Sequence, residues 1–266
     1  ALQSFAERFD LRTRDTLMGY ANDTQQEIAL LYDGAVLTAR HDPREGDGAP
    51  RFDSAFEIDL DLEGRPERVT WSKPPLEAAL ETPLGPLRLI GVHAKSKAPH
   101  GARTRAEITA TAIANRRKQL AQCLWLRARV AAHLAAGEAL VVLGDFNDGP
   151  GLDEYEALFG RSGVEIVLGE GDAPRLFDPH ARAALTSRLT AGPSTARFRL
   201  PPVDGHPGRY LSALLDYVMV SPDLVARGPR WRIWHPFDDP ECWADPDLRH
   251  ALLTASDHFP VTLDLA

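Results

Sequence analysis

The stretch ALVVLGDFN, residues 139–147, decides the fold of this chain. Its first five residues are apolar, and a continuous apolar run of this length is typical of a buried strand. The run leads directly into Gly144, Asp145, Phe146 and Asn147, so a carboxylate and an amide follow the strand where side chains can leave the sheet. The stretch therefore predicts a central strand that delivers polar groups to one edge of a sheet.

A long helix is predicted immediately before this strand, over residues 104–136. Thr104 and Glu107 form a capping-box pattern at its start, and Gly137 offers a stop at its end. The residues expected to share its buried face are Leu120, Leu124, Ala128, Ala131 and Ala135. A helix directly followed by a buried strand is typical of a protein that combines helices and sheets in packed layers.

Strands dominate the rest of the chain. Residues 87–94 (LRLIGVHA) are a compact apolar run after a Pro/Gly turn, which predicts a second central strand that delivers His93 and Lys95. Further strands are predicted at residues 27–32 (EIALLY), 34–39, 52–62, 214–220 (LLDYVMV), 230–234 and 259–265. We expect a short helix from Asp153 and a long surface loop or insertion over residues 169–208. This pattern predicts an α/β sandwich of packed sheets flanked by helices.

Length and composition bound the class of protein. With 266 residues, 44% hydrophobic and 26% charged, the chain fits one large globular domain over residues 1–266. No run of about 18 apolar residues occurs, so no membrane span is predicted. The 38 acidic and 30 basic residues give a formal charge of -8, which argues against a broad basic nucleic-acid surface but permits a local phosphate site. Cys123 and Cys242 lack metal-ligand spacing, and we expect both to be buried.

Polar residues stand at the ends of several predicted strands, namely His93, Asp145, Asn147, Asp216 and the pair Asp257 and His258. Cleavage of a phosphate ester needs oxygen ligands for a hard cation, a group that orients or deprotonates water, and donors to the charged oxygens. These residue types supply all three. Asp216 interrupts an apolar strand, so its carboxylate needs a partner, and a histidine is a suitable one.

Each of these residues also has an ordinary structural interpretation. Asp145 and Asn147 are followed by Asp-Gly-Pro-Gly and could simply form a turn. Asp257 could cap a helix or turn, and a single histidine such as His93 is often a hydrogen-bonded core residue. The combination of the segments carries more information than any one of them.

In this order, four segments resemble the endonuclease/exonuclease/phosphatase family, also called the DNase I-like or exonuclease III-like superfamily. They are GVHAKS (91–96), LGDFN (143–147), LDYVMVS (215–221) and SDHFPV (256–261). The resemblance spans about residues 28–265 and implies a four-layer fold of two packed, mostly antiparallel sheets with helices outside. It also implies in-line attack of water on phosphorus with Mg²⁺ or Mn²⁺ as the cofactor. The HxKS form with a long helix after it is similar to the nuclease-type bacterial members rather than to the inositol phosphatases.

The resemblance implies roles at the metal and at the attacking water. Asp145 would orient and deprotonate the water, and Asn147 would fix that water or a phosphate oxygen beside the metal. Asp257 would be a metal ligand, with Asp145 and Asn147 as further metal contacts.

The resemblance also implies roles at the phosphate. His258 would contact the scissile phosphate and would be held in the right tautomer and orientation by the carboxylate of Asp216. His93 would contact the phosphate or assist the leaving oxygen. Lys95 and Ser96 are additional candidates for phosphate contact.

The first metal ligands of the family are missing from the sequence. The family places an Asn or Asp on its first strand and a metal-binding Glu in a following Gln-Glu pair, and no such arrangement precedes Ile28. Gln26 and Glu27 are an alternative pair, but they directly precede the strand that the family places after its metal glutamate. Asn22 lies too close to Glu27 to be the first-strand ligand. We therefore expect about 30 to 50 further residues upstream, and residues 1–9 as the tail of the helix that follows the missing glutamate.

The leading functional hypothesis is a nuclease or phosphodiesterase that acts as a monomer on a phosphate ester, which could be a nucleic acid. A cluster of arginines, Arg103, Arg105, Arg116 and Arg117, could mark a nucleic-acid-facing edge, but the solvated face of a long helix is favoured. Three tryptophans, Trp231, Trp234 and Trp243, could stack on a base or sugar, but core packing is favoured.

Two other functions fit the same residues. One is a phosphatase for a small metabolite or lipid headgroup, which the acidic surface permits. The other is a non-catalytic binding protein with a degenerate metal site, which only the missing glutamate supports. The cytoplasm is the default compartment, with export as the alternative if a signal peptide precedes Ala1.

Overall fold

The computed structural model describes residues 1–45, 49–60, 66–99, 101–149, 160–186, 192–200 and 207–265. Its helices are α1 (Leu2–Arg8), α2 (Arg105–Ala135), α3 (Gly163–Leu168), α4 (Pro179–Thr186), α5 (Pro222–Val225), α6 (Pro240–Ala244) and α7 (Pro246–Ala255). Its first strands are β1 (Asp15–Met18), β2 (Ala29–Tyr32), β3 (Thr38–His41), β4 (Phe56–Ile58), β5 (Glu67–Val69), β6 (Leu76–Thr82) and β7 (Gly85–His93). The remaining strands are β8 (Leu140–Asp145), β9 (Ala196–Leu200), β10 (Arg209–Ala213), β11 (Asp216–Val220), β12 (Arg230–Ile233) and β13 (Val261–Asp264). The helix predicted from Asp153 lies outside the described residues.

Five strands form the central sheet in the order β11-β8-β7-β6-β3. Only β7 and β8 are parallel in it, and the other neighbouring strands are antiparallel. Parallel strands require a long crossover connection, and α2 supplies it between β7 and β8. The capping box predicted for this helix is present, because the Thr104 hydroxyl accepts from the Glu107 amide at 3.2 Å and the Glu107 carboxylate accepts from the Thr104 amide at 3.0 Å.

One face of the central sheet packs against helices. Alternate residues of β7 and β8, such as Ile90 and Val142, are buried in the same cluster as Leu126 and Val130 of α2 and Val164 of α3. Each of these five side chains is at most 1% exposed. This layer is the main hydrophobic core of the described chain.

The opposite face of the sheet packs against further strands. Val141 of β8 and Val218 of β11 form a second cluster with Trp231 of β12 and Val261 of β13. Sheets and helices therefore cover the two faces of one central sheet, which confirms the predicted mixed α/β sandwich. Among the described residues, no helix combines the length and the hydrophobicity needed to cross a bilayer.

The buried face of α2 differs from the predicted one. Leu120 is buried as expected, but Ala131 and Ala135 are exposed. The buried positions include five polar residues, namely Arg116, Gln119, Gln122, Arg129 and His133. Arg129, for example, donates to the Glu77 carboxylate at 2.5 Å in the layer between helix and sheet. The prediction counted only apolar residues as buried. Polar side chains with partners can also be buried beneath α2, so the predicted face was wrong.

The arginine cluster of the sequence divides in the structure. Arg116 is fully buried, so neither a solvated face nor a nucleic-acid edge describes it correctly. Arg117 is half-buried and pairs with Glu67 of β5. Arg103 and Arg105 are exposed at the start of α2, as expected for a solvated surface.

Two predicted strands are displaced or shortened. The strand predicted at 34–39 begins only at Thr38, because residues 33–36 form a turn in which the Val36 amide donates to the Asp33 carbonyl at 2.9 Å. Of the strand predicted at 52–62, the described part is β4, Phe56–Ile58. The strands β1, β5, β6, β9 and β10 were not predicted.

The long loop predicted over residues 169–208 contains α4 and β9 in its described part. Asp178 explains part of this order. Its carboxylate accepts from the Ala181 amide at 2.9 Å at the start of α4, and from the Val218 amide at 2.9 Å in the central sheet. The sequence did not predict this contact, because Val218 lies 40 residues away from Asp178 and the segment around Asp178 is rich in turn-forming residues.

A buried ion pair fixes the segment that follows β8. The Asp148 carboxylate is fully buried and accepts from Arg116 of α2 at 2.7 Å and from Lys97 at 2.6 Å. It also accepts from the Gly163 amide at the start of α3, at 2.5 Å. One carboxylate therefore joins two helices to the loop that carries Asn147.

Replacing Asp148 with alanine should destabilise the fold strongly. The change leaves two cations without their buried carboxylate, and breaking one partner of such a pair costs about 3–5 kcal/mol. Urea denaturation monitored by circular dichroism measures the difference. The matched control is Asp264→Ala, which removes an exposed pair with Arg230 at 3.7 Å and should cost less than about 1 kcal/mol. Equal effects of the two substitutions would contradict the anchoring role.

Candidate active site

The central sheet brings three polar side chains into one row across the ends of its strands. Asp145, the last residue of β8, lies directly opposite His93 of β7 on one side and Asp216 of β11 on the other. Side chains alternate between the two faces of a strand, so Asp145 points to the same face as Val141, and Asp216 to the same face as Val218. The three groups therefore lie at the rim of the face that packs against β12 and β13.

The glycine before Asp145 permits a close approach between β7 and β8. Gly144 has φ 132°, a conformation that side chains rarely adopt. A Cβ at this position would lie 2.0 Å from the Val92 carbonyl oxygen. The GDFN sequence thus needs glycine at this position for His93 and Asp145 to lie side by side.

The Asp145 carboxylate is held by the residue two positions later. The Asn147 amide donates to Asp145 Oδ1 at 2.7 Å, and the Asn147 side-chain Nδ2 donates to Oδ2 at 2.9 Å. Asn147 has φ 51°, a left-handed conformation that asparagine tolerates better than most residues. Its Nδ2 also donates to the Ala94 carbonyl at 3.2 Å, which links the ends of β7 and β8.

His258 reaches the row from the segment before β13. Its Nδ1 lies 2.8 Å from Asp216 Oδ2. This hydrogen bond raises the pKa of His258 to about 9, and the imidazole is therefore protonated at neutral pH. His258 also forms a β-bridge with Ala196 of β9, which fixes its backbone. The half-buried carboxylate of Asp216 thus has the histidine partner that its apolar strand context predicts.

The surroundings of the Asp145 carboxylate disfavour its charged form. Burial, reinforced by the neighbouring Asp216 carboxylate, raises the pKa of Asp145 to about 6. One ligand atom from each of Asp145, Asp216 and His258 lies within 4.8 Å of the others. Two carboxylates that repel each other form a donor set suited to a hard divalent cation, whose charge would compensate both.

Lys73 is a member of the site that sequence reasoning missed. Its Nζ lies 3.3 Å from Nδ1 and 3.2 Å from Nε2 of His93. Burial lowers the pKa of Lys73, while the charge of Asp145 opposes this shift. Burial and then the Lys73 ammonium lower the pKa of His93, whose Nε2 lies 3.6 Å from Asp145 Oδ2. The only sequence signal was a lysine just before a Pro-Pro pair and a strand.

The predicted phosphate contacts Lys95 and Ser96 lie in the segment directly after β7. The Lys95 amide donates to Gln122 Oε1 at 2.9 Å, and Gln119 Nε2 donates to the Lys95 carbonyl at 3.0 Å and the Asn147 carbonyl at 2.8 Å. Buried glutamines of α2 therefore hold both loops of the site. The Ser96 hydroxyl accepts from the Ala98 amide at 3.3 Å in a local turn.

The predicted metal ligand Asp257 lies outside the acidic cluster, and so does Glu27 of the alternative Gln26–Glu27 pair. Asp257 is exposed, and its carbonyl accepts from the Arg197 amide at 2.8 Å. Glu27 does not belong to the cluster found among the described residues. Asn22 accepts from the Thr24 amide at 3.0 Å, so its side chain forms a local turn. The role of Asp257 as a metal ligand stays a prediction.

Replacing Lys73 with methionine should raise the pKa of His93. Methionine fills similar space but removes the ammonium that disfavours protonation of the imidazole. Titration of the histidine ring protons by NMR, in a chelator, measures the shift. Lys95→Met is the matched control, since Lys95 is not among the charges that shift His93. An unchanged pKa of His93 in the Lys73 variant would rule out the contact.

Solved structures provide three comparisons. TDP2 from Caenorhabditis elegans is 16% identical, with 97% of this chain and 60% of that chain covered and a TM-score of 0.45. The APE2 catalytic domain of Xenopus laevis is 16% identical, with 73% and 56% covered and a TM-score of 0.40. The human Nocturnin catalytic domain is 15% identical, with 90% and 64% covered and a TM-score of 0.35. The chain thus spans about 60% of the TDP2 chain that it matches.

Sequence comparison identifies the family directly. No curated protein sequence matches the chain. The family model for the Endonuclease/Exonuclease/phosphatase family matches residues 23–258, which include three of the four segments whole, the fourth up to His258, and most of the chain. The chain therefore belongs to the Endonuclease/Exonuclease/phosphatase family.

Proposed function

We propose that this chain is a divalent-metal-dependent hydrolase of phosphate esters, and specifically a nuclease or phosphodiesterase that uses in-line attack of water. The observation that carries the proposal is the single row of His93, Asp145 and Asp216, completed by His258 at 2.8 Å from Asp216. Four segments far apart in sequence meet there, and together they supply a base, a cation site and hydrogen-bond donors. Family membership supports the same reaction class.

Asp145 is the proposed base. Without a bound cation its pKa is about 6, close to neutral pH, and a general base is most effective when its pKa lies near the working pH. The two hydrogen bonds from Asn147 hold the carboxylate in one orientation, so it can accept a proton from the attacking water in a fixed direction.

Two cationic groups are placed to bind the phosphoryl oxygens. His258 is protonated because of its hydrogen bond to Asp216, and its Nε2 is then free to donate to an anionic oxygen. Lys73 adds a second positive charge beside His93. Donors aimed at a site where negative charge develops stabilise the transition state more than the ground state.

Asp145 and Asp216 would hold a divalent cation, Mg²⁺ or Mn²⁺, through carboxylate oxygens, while the protonated His258 would face the phosphate. Bound there, the cation would act as a Lewis acid toward a phosphoryl oxygen. Asn147 and Asp257 would be further contacts, as the family resemblance implies. The repulsion between Asp145 and Asp216 supports this assignment, because a cation would relieve it.

Replacing Asp145 with asparagine should lower turnover by about 10²- to 10⁴-fold, because the variant keeps the shape of the side chain but has no basic oxygen. Initial rates are measured on bis(p-nitrophenyl) phosphate, duplex DNA, single-stranded DNA, RNA and a phosphomonoester. Asp264→Asn, an exposed carboxylate outside the site, serves as the control. Turnover of monoesters alone would favour the metabolite phosphatase over the proposed diesterase. Turnover of no substrate would favour a binding protein.

Removing divalent metal should abolish turnover, and adding Mg²⁺ or Mn²⁺ should restore it. A readout independent of activity is thermal unfolding. The metal should raise the Tm of the wild type because it binds the folded carboxylates, and it should raise the Tm of Asp145→Asn less. Full activity in excess chelator would contradict the proposed cofactor.

A further inference from the structure

A series of exposed aromatic rings and half-buried arginines lies near the site. Its members, which we call the Arg-aromatic surface, are Arg197, Tyr210, Phe237, Trp243 and Arg249. The Arg197 guanidinium lies 4.7 Å from the Tyr210 ring centroid and 5.4 Å from that of Phe237. Phe237 and Trp243 are 6.4 Å apart, and Arg249 lies 4.7 Å from Trp243. The five side chains therefore form one continuous series.

The rings of this surface are exposed to an unusual degree. Tyr210 is 61% exposed, Trp243 56% and Phe237 40%. The sequence favoured core packing for the tryptophans, and this is wrong for Trp243, which lies in a five-residue helix whose buried residue is Cys242. Trp231 does pack in the second core cluster. Exposed apolar groups that lie together, rather than singly, mark a binding surface.

The part of the surface on β9 and β10 is positively charged in a chain of net charge -8, whereas the segment of Trp243 and Arg249 also carries the exposed carboxylates Asp238, Asp245 and Asp247. The strands β9 (ARFRL) and β10 (RYLSA) contain three arginines and no carboxylate, and Arg199 lies directly opposite Tyr210. Among the described residues, Arg197 and Arg249 form no ion pair with a carboxylate. The nearby carboxylates Asp239 and Glu241 are instead occupied by Arg232, at 2.8 and 2.9 Å.

The surface begins at the site itself. The Arg197 amide donates to the Asp257 carbonyl at 2.8 Å, and the preceding residue, Ala196, forms the β-bridge with His258. Arg197 is therefore next to the histidine that is proposed to contact the scissile phosphate. The Arg197 side chain faces the side of β9 opposite to Ala196 and His258, so a chain that extends from this phosphate would pass around β9 to reach the exposed rings.

We propose that the Arg-aromatic surface binds the unpaired nucleotides of a single-stranded nucleic acid whose scissile phosphate lies at His258. This inference rests on the proposed function and names its substrate. Unpaired bases stack on exposed rings and on guanidinium planes, and arginines also bind the phosphates between them. The alternation of rings and cations along the surface matches the alternation of bases and phosphates along a strand. The stacked bases of a duplex offer no such faces.

Binding is measured by fluorescence anisotropy of a labelled oligothymidylate of about 15 nucleotides, in a chelator so that no hydrolysis occurs. Trp243→Ala and Arg197→Ala should each weaken binding on the order of tenfold, and Trp243→Phe should restore most of the affinity. The matched control is Phe9→Ala. Phe9 is also 56% exposed beside an arginine, Arg8 at 5.6 Å, but it lies in the N-terminal segment, and its loss should change nothing.

Duplex DNA of the same length and vesicles of phosphatidylserine and phosphatidylcholine are compared as ligands. The proposal requires the wild type to bind the single strand most tightly and to lose that preference in Trp243→Ala. Equal affinity of wild type and Trp243→Ala for the strand, or tighter binding to duplex or vesicles, would overturn it. Binding is measured without turnover, so the two proposals can fail separately. An inactive enzyme would contradict the hydrolase proposal alone. An active enzyme whose variants bind the strand as tightly as the wild type would contradict the role of this surface alone.

Discussion

The hydrogen-bond register of β8 is the constraint on which the site depends. β8 pairs with β7 on one side and β11 on the other, and this pairing sets His93, Asp145 and Asp216 in one row. A shift of β8 by one residue would turn Asp145 toward the helices, into the core layer of Leu140 and Val142. The buried valines on both faces therefore fix the position of the carboxylate, and α2 makes the parallel pairing possible by its length.

Negative and positive side chains lie close together at the site. The Asp145 carboxylate is buried beside the Asp216 carboxylate, and burial and this neighbouring charge together raise the pKa of Asp145. A protonated His258 and Lys73 flank them. An anionic phosphoryl group brings further negative charge. If His258 and Lys73 turned to neutralise it, they would no longer neutralise Asp145 and Asp216. The proposed divalent cation would resolve this conflict, since it can be shared by carboxylate and phosphate.

The sequence predicted the strand ends and the helix cap because these depend on neighbouring residues: LVVLGD and Thr104 with Glu107 are local signals. Lys73 was missed because its contact with His93 depends on the antiparallel register of β6 and β7, which brings together residues 20 positions apart. The buried face of α2 was misplaced for a similar reason. Arg116 is neutralised by a carboxylate 32 residues away, which no periodicity within the helix reveals.

β9 connects the site to the Arg-aromatic surface through the alternation of its own side chains. Ala196 and Phe198 pack in a small cluster with Ala213 and Leu215, so Arg197 must face the opposite side. The hydroxyl of Thr195, just before β9, accepts from the Asp216 amide at 2.9 Å. The same short segment therefore supports the carboxylate that orients His258 and presents the first arginine of the surface. A nucleic-acid strand held on that surface would be positioned relative to the scissile phosphate through the backbone hydrogen bonds that join β9 to the segment of Asp257 and His258.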